Sequence, residues 1–207
     1  MTFISYAQNC EDVILSRALK GVEKGFYVDV GAMDPVFDSV TKALYERGWR
    51  GINIEPVHQW YEKLALDRPE DINLNLALLD KPSIIHLYEI ADTGLSTFDR
   101  VLAERHKQKE GYQIRDVATT ALTLDIVLEE QPHEDIHFLK VGVEGAALVE
   151  SFAENLAKCG HTSRPPCLSR RLLSPRARCD TQYKGAPLGC RCTPCEALCY
   201  YPLCRYT

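Results

Sequence analysis

The sequence predicts an α/β fold wound on both faces of a sheet, and three stretches predict it. The first is Gly25 to Pro35, GFYVDVGAMDP, where Phe26, Val28 and Val30 have the alternation of a buried strand and Gly31 breaks it. The second is a helix begun by Asp38 and Ser39, carrying Val40, Ala43 and Leu44, and closed by Gly48. The third is a strand, Ile52 to Ile54, that ends in Glu55. A strand, a glycine turn, a helix and a second strand ending in an acid about twenty residues on is the order of a nucleotide-binding βαβ unit. A carboxylate in that place accepts both hydrogen bonds of a vicinal diol, which makes Glu55 the candidate for a ribose. Asp29 at the first strand's end and Asp34 in the turn also read as binding acids, and equally as solvated acids beside a plain turn. The helix opened by Ser39 directs free N–H groups toward the same turn.

The chain of 207 residues suffices for one core and an appendage. Its net charge of −5 argues against a nucleic-acid binder held by phosphate contacts. No apolar run approaches the roughly 20 residues needed to span a bilayer, and MTFISYAQNCEDVIL lacks the form of a signal peptide. The expected compartment is the cytoplasm. The composition breaks at Cys159. From there on, eight lysines and arginines stand against two acids, eight of the nine cysteines are collected, and Val, Ile, Phe, Met and Trp are absent. Residues 1–158 therefore read as the folded domain and residues 159–207 as an irregular, disordered Cys-, Arg- and Pro-rich tail.

In chain order, Asn9 caps a first helix through Val13, Ile14, Ala18 and Leu19, with Glu11 and Asp12 in its first turn and Gly21 as its stop. After the βαβ unit, Trp60, Tyr61 and Leu64 mark a helix ended by Pro69. Ile72, Leu74 and Leu76 alternate in a strand that runs on through Ala77, Leu78 and Leu79. The turn at Pro82 leads to a strand from Ile84 to Ile90 that is free to run antiparallel. Gly94-Leu95-Ser96-Thr97 begins a charged helix reaching Glu110, and Ile114, Val117 and Thr119 form a further strand. A short helix opens at Leu122-Thr123-Leu124-Asp125, and His137 to Gly145 is the next strand. Leu148, Phe152 and Leu156 then recur every four residues along a helix to about Lys158.

The segments SYAQNCEDVIL, GFYVDVGAMDPVFDSVTKALYERGWRGINIEP, GLSTFD, LTLD and HFLKVGVEGA resemble, in order and spacing, those of the FkbM-type methyltransferases over residues 5 to 150. The resemblance implies the class I methyltransferase Rossmann-like fold and S-adenosyl-L-methionine as cofactor. It implies that Asp29, Gly31 and Ala32 line the methionine side, that Glu55 holds the ribose, and that the backbone at Ala77 and Leu78 lies by the adenine. The absence of G-x-G-x-x-G agrees, because this donor has no pyrophosphate to cradle. The implied acceptor is a hydroxyl of a small molecule or glycan, and Lys140 and Glu144 are the candidate catalytic groups for its proton. Glu144 equally reads as an acid at a helix N-terminus.

The chain departs from the family pattern at four positions: Cys10 stands for a glycine, Met33 for an asparagine, Gly142 for an aspartate and Ala147 for a glutamate. The loss at 142 makes an impaired or inactive methyltransferase remnant the alternative reading. A class I sheet has seven strands, and only about four core strands are legible before residue 158, so the fold is expected to be truncated with its fourth strand as a bare edge. The tail is expected to come from a frameshift or a failed gene end. The competing use of the tail is zinc binding through Cys190, Cys192, Cys195, Cys199 and Cys204, although only Cys192 and Cys195 have regular knuckle spacing.

Overall fold

The computed structural model describes residues 3–131, 135–142 and 199–202. Its elements run α1 (Glu11–Ala18), β1 (Phe26–Val30), α2 (Lys42–Tyr45), β2 (Arg50–Ile54), α3 (His58–Asp67), β3 (Ile72–Leu74), β4 (Ala77–Leu78), β5 (Ser83–Ile90), α4 (Arg100–Glu110), β6 (Ile114–Leu122), α5 (Leu124–Glu130), β7 (Ile136–Val141) and β8 (Cys199–Pro202). Among the described residues, the main sheet has the order β3-β2-β1-β7-β8. Its first four strands are mutually parallel. This α/β arrangement around a parallel sheet is that of a Rossmann-like fold, with the strand order reversing between β1 and β7.

All five residues of β1 are buried, so both faces of the strand are covered. Phe26, Val28 and Val30 pack with Ile52, Ile54, Leu139 and Val141 of the neighbouring strands and with Leu124 and Val127 of α5. Tyr27, on the opposite face, packs with Leu15 and Leu19 near α1, Leu44 of α2, Trp49 and Phe138. A second sheet, β4-β6-β5, lies beside the first. Its β5 and β6 are antiparallel from Ser83 opposite Ala121 to Ile90 opposite Ile114, as the turn at Pro82 permits. No described helix is long and apolar enough to cross a membrane.

Several elements differ from the sequence reading, each for a local reason. Asn9 does not cap α1: its backbone N–H and its amide both donate to Glu11, and Cys10 takes the cap position with φ 61°. Asp12 is fully buried and accepts from Ser5 Oγ and from the N–H groups of Tyr6, Ala7 and Val13. The helix stops at Ala18, before Gly21. The helix expected from Val40 shrinks to α2, and just before it the side chains of Ser39 and Thr41 are bonded to Arg68 and, for Thr41, to Asp29 of β1. The strand expected from Ile72 through Leu79 divides. Asn75 Nδ2 donates to the carbonyls of Glu55 and Pro56, which turns the chain out of the main sheet, and Ala77 and Leu78 pair instead with Ala121 and Leu122 of β6. Residues 94–97 are not helical. Asp99 is the cap of α4, accepting from the N–H groups of Val101 and Leu102, and Thr97 bridges to Tyr88 of β5.

At the far side of the main sheet, β8 pairs antiparallel with β7 from Phe138 opposite Pro202 to Val141 opposite Cys199. The edge expected to be bare therefore has a partner over four residues of the tail. The expected helix from Leu148 to Lys158 and the remainder of residues 159–207 lie outside the described residues.

Candidate functional site

A cleft opens at the carboxyl ends of β1, β2 and β7, at the reversal of strand order, where open α/β sheets bind their ligands. Gly31, Glu55 and Gly142, the residues that follow these three strands, line it together with Met33, Trp60 and the segment from Thr93 to Phe98. The three strands meet closely there. A Cβ added to Gly31 would lie 2.2 Å from the Gly142 carbonyl oxygen, and Gly31 has φ 71°, so only glycine serves at this crossing. Its N–H donates to Ile54 O across β2.

Glu55 ends β2 with 4% of its surface exposed. Oε2 accepts the N–H of Met33 at 2.8 Å and Oε1 accepts the N–H of Val57 at 2.9 Å. The carboxylate thereby ties the turn after β1 to the start of α3, and each oxygen keeps acceptor capacity for a further donor. Burial pushes its pKa up from 4.5 to about 7, against the pull of the two N–H groups and of Lys140. Met33 adopts the left-handed conformation, φ 55°, which asparagine tolerates best among residues with a side chain. The asparagine of the family pattern thus matches a backbone requirement of the turn. The Met33 side chain packs with Val57, Trp60, Leu87 and Phe98 into an apolar wall, and Gly94 leaves room for its sulfur.

Asp29 lies behind the cleft, 1% exposed, on the α1 face of β1. Its Oδ2 accepts from Thr41 Oγ1 at 2.8 Å, and its Oδ1 forms an ion pair with Lys140 Nζ at 2.9 Å. Lys140, its register partner on β7, also donates to Gly31 O at 2.6 Å. Ser39 is buried and accepts from Arg68 Nη2 at 2.6 Å and from the N–H of Lys42 at 3.3 Å. Asp34 accepts from the N–H groups of Val36 and Phe37, closing a local turn. Ala32 is buried, with its N–H on Ile54 O. Ala77 and Leu78 are buried in β4 and are not part of the cleft lining. Glu144 lies outside the described residues.

The structure thus brings Gly31 and Glu55 onto the cleft and places Asp29, Ser39 and Lys140 in the framework beneath it. Sequence reading missed two contributors. The wall between Thr93 and Phe98 includes Gly94 to Thr97, the stretch expected to begin a helix; Asp99 caps α4 instead and leaves these residues a loop. Arg68, fully buried, bonds Thr41 Oγ1, Pro35 O and Ser39 Oγ, and nothing local in Asp67-Arg68-Pro69 distinguishes it from a surface arginine closing α3.

Among the described residues, no group of three or more His, Cys, Asp or Glu could hold a metal ion. Apart from the backbone of Cys199, the tail cysteines from Cys190 onward lie outside the described residues. A tight glycine crossing, a buried carboxylate at the second strand's end and an apolar wall together give the cleft one fixed acceptor group and a hydrophobic side. The family model described as the methyltransferase FkbM domain matches residues 29–148. No curated protein and no solved structure matches the chain.

Proposed function

Because the chain belongs to the FkbM family of methyltransferase domains, we propose that it binds S-adenosylmethionine in this cleft and methylates a hydroxyl of a sugar or other small molecule. The observation that carries the reading is Glu55, a carboxylate fixed by two backbone N–H groups at the mouth of the strand-order reversal. Gly31 allows the ligand to approach the backbone. Glu55 accepts from the ribose diol, and Met33, Trp60 and Phe98 exclude water from its apolar parts. Bound there, the donor supplies an electrophilic methyl group. The protein's share of the chemistry is to hold the acceptor oxygen in line and to receive its proton, for which Glu144 is the candidate base.

Donor binding without turnover is a second reading, favoured by Gly142, which presents no side chain to the cleft where the family pattern has an aspartate. Calorimetric titration of the full chain with S-adenosylhomocysteine tests the donor site, and saturable binding lost in Glu55→Ala is the expected result. Methyl transfer from labelled donor to a panel of hydroxylated acceptors then separates the two readings. An absence of binding at millimolar ligand would overturn both.

A further inference from the structure

The turn after β1 is held by a buried polar chain that never reaches the cleft. At one end Lys140 Nζ grips Gly31 O at 2.6 Å and stands 2.9 Å from Asp29 Oδ1. Asp29 Oδ2 accepts from Thr41 Oγ1 at 2.8 Å, and the same hydroxyl accepts from Arg68 Nη1 at 2.7 Å. Arg68 Nη2 then reaches Pro35 O at 2.5 Å and Ser39 Oγ at 2.6 Å. Lys140 meets the Asp29 carboxylate directly and Arg68 reaches it through Thr41, and these three residues, Lys140, Asp29 and Arg68, attach to the 31–41 segment at Gly31, Pro35, Ser39 and Thr41. Lys140 and Arg68 are 8% and 0% exposed, so these bonds are made out of water, where charge-assisted contacts are strong and losing one is costly.

We propose that Lys140 and Arg68 are positioning residues that shape the donor turn before any ligand arrives; the proposal rests on the methyltransferase reading of the cleft. The lysine is therefore a structural cation of the site and not its proton acceptor. Its grip also depends on the departure at residue 142. A Cβ on Gly142 would stand 2.7 Å from Lys140 Nζ and 2.8 Å from its Cε, so the glycine leaves the space in which the amine folds back onto Gly31 O. An aspartate there would displace the amine and compete with Asp29 for it. The consequence lies at Met33, whose N–H meets Glu55 only while the turn keeps its left-handed residues at 31 and 33.

The test is amide hydrogen exchange on the ligand-free full chain, with S-adenosylhomocysteine titrated separately by calorimetry. The variants are Lys140→Met, Lys140→Arg and the double variant Asp29→Asn/Lys140→Met, which removes both charges of the Asp29–Lys140 pair together and carries the comparison if Lys140→Met alone does not fold. The expected result is exchange about tenfold faster in residues 31–41, the scale of one lost charged hydrogen bond, with β5 and β6 unchanged and with Lys140→Arg restoring protection. Donor affinity should fall by a similar factor in Lys140→Met and in the double variant, and recover in Lys140→Arg. Unchanged exchange at 31–41 in the double variant, an equal rise across β5 and β6, or a loss that Lys140→Arg fails to restore overturns the proposal. Failure of the wild-type chain to bind S-adenosylhomocysteine overturns the methyltransferase reading instead, because the exchange contrast is read without ligand.

Discussion

Glu55 keeps a carboxyl group where burial opposes its charge, and the sign of the effect on stability follows from the two pKa values. The unfolded side chain titrates near 4.5 and the folded one near 7, so folding takes up a proton between them. Glu55 therefore favours the fold fully below about pH 4.5, loses that contribution as pH rises through 7, and is flat above; the span corresponds to about 3 kcal/mol. Urea unfolding at pH 5 and pH 8 should show a wild-type decline that Glu55→Gln lacks by roughly this amount. Donor binding should move the other way and weaken severalfold from pH 8 to pH 6, because the ionised carboxylate is the better acceptor for a diol. Arg68 makes a separate prediction. Truncation in Arg68→Met leaves Pro35 O and Thr41 Oγ1 without their donor and should cost about 3–5 kcal/mol in urea unfolding, where an exposed arginine would cost almost nothing. Neither role is visible in the residues themselves. Glu55 was legible as a strand-end acid, but its two backbone partners come from turns 22 and 2 residues away, and Arg68 finds Thr41 and Ser39 only once α3 has folded across the sheet.

At the level of elements, the strands of the main sheet were the most legible, because buried parallel strands are nearly continuous apolar runs. Helix limits were less so. Capping depends on which of several eligible side chains is free to turn back on the backbone, and Thr41, at the cap of α2, is taken up by Asp29 and Arg68 and makes no cap bond. Helix α4 is the contrasting case. Among its residues only Ala103 is buried, so its start depends strongly on the Asp99 cap. Asp99→Ala should cost about 1 kcal/mol, read as a lower melting temperature, and should increase exchange at Val101 and Leu102, the two N–H groups that it releases. The division between β3 and β4 follows the same logic: a polar side chain, Asn75, claims backbone carbonyls that a regular strand would have left elsewhere, and the apolar alternation of Ile72, Leu74 and Leu76 could not signal it.

For the whole molecule, the decisive contact is the pairing of β7 with β8. Residues 199–202 add a fifth, antiparallel strand beside β7, the strand that carries Lys140. A chain ending at residue 198 should lose about 2 kcal/mol of stability, the scale of a few backbone hydrogen bonds. It should also self-associate in sedimentation velocity, since β7, the longer strand, then becomes the edge and templates further strands. An unchanged stability and a monomeric truncated chain would show that the tail is dispensable to the sheet. The sequence by itself determined the βαβ order, the glycine at the crossing and the acid at the end of the second strand, because apolar alternation and backbone freedom are local properties. The tertiary structure alone decided that Asp29, Thr41, Arg68 and Lys140 form one buried chain under the turn after β1. Its members lie as far as 111 residues apart in the chain, and a buried charge can be recognised as compensated only when the fold has brought its partner within hydrogen-bonding distance.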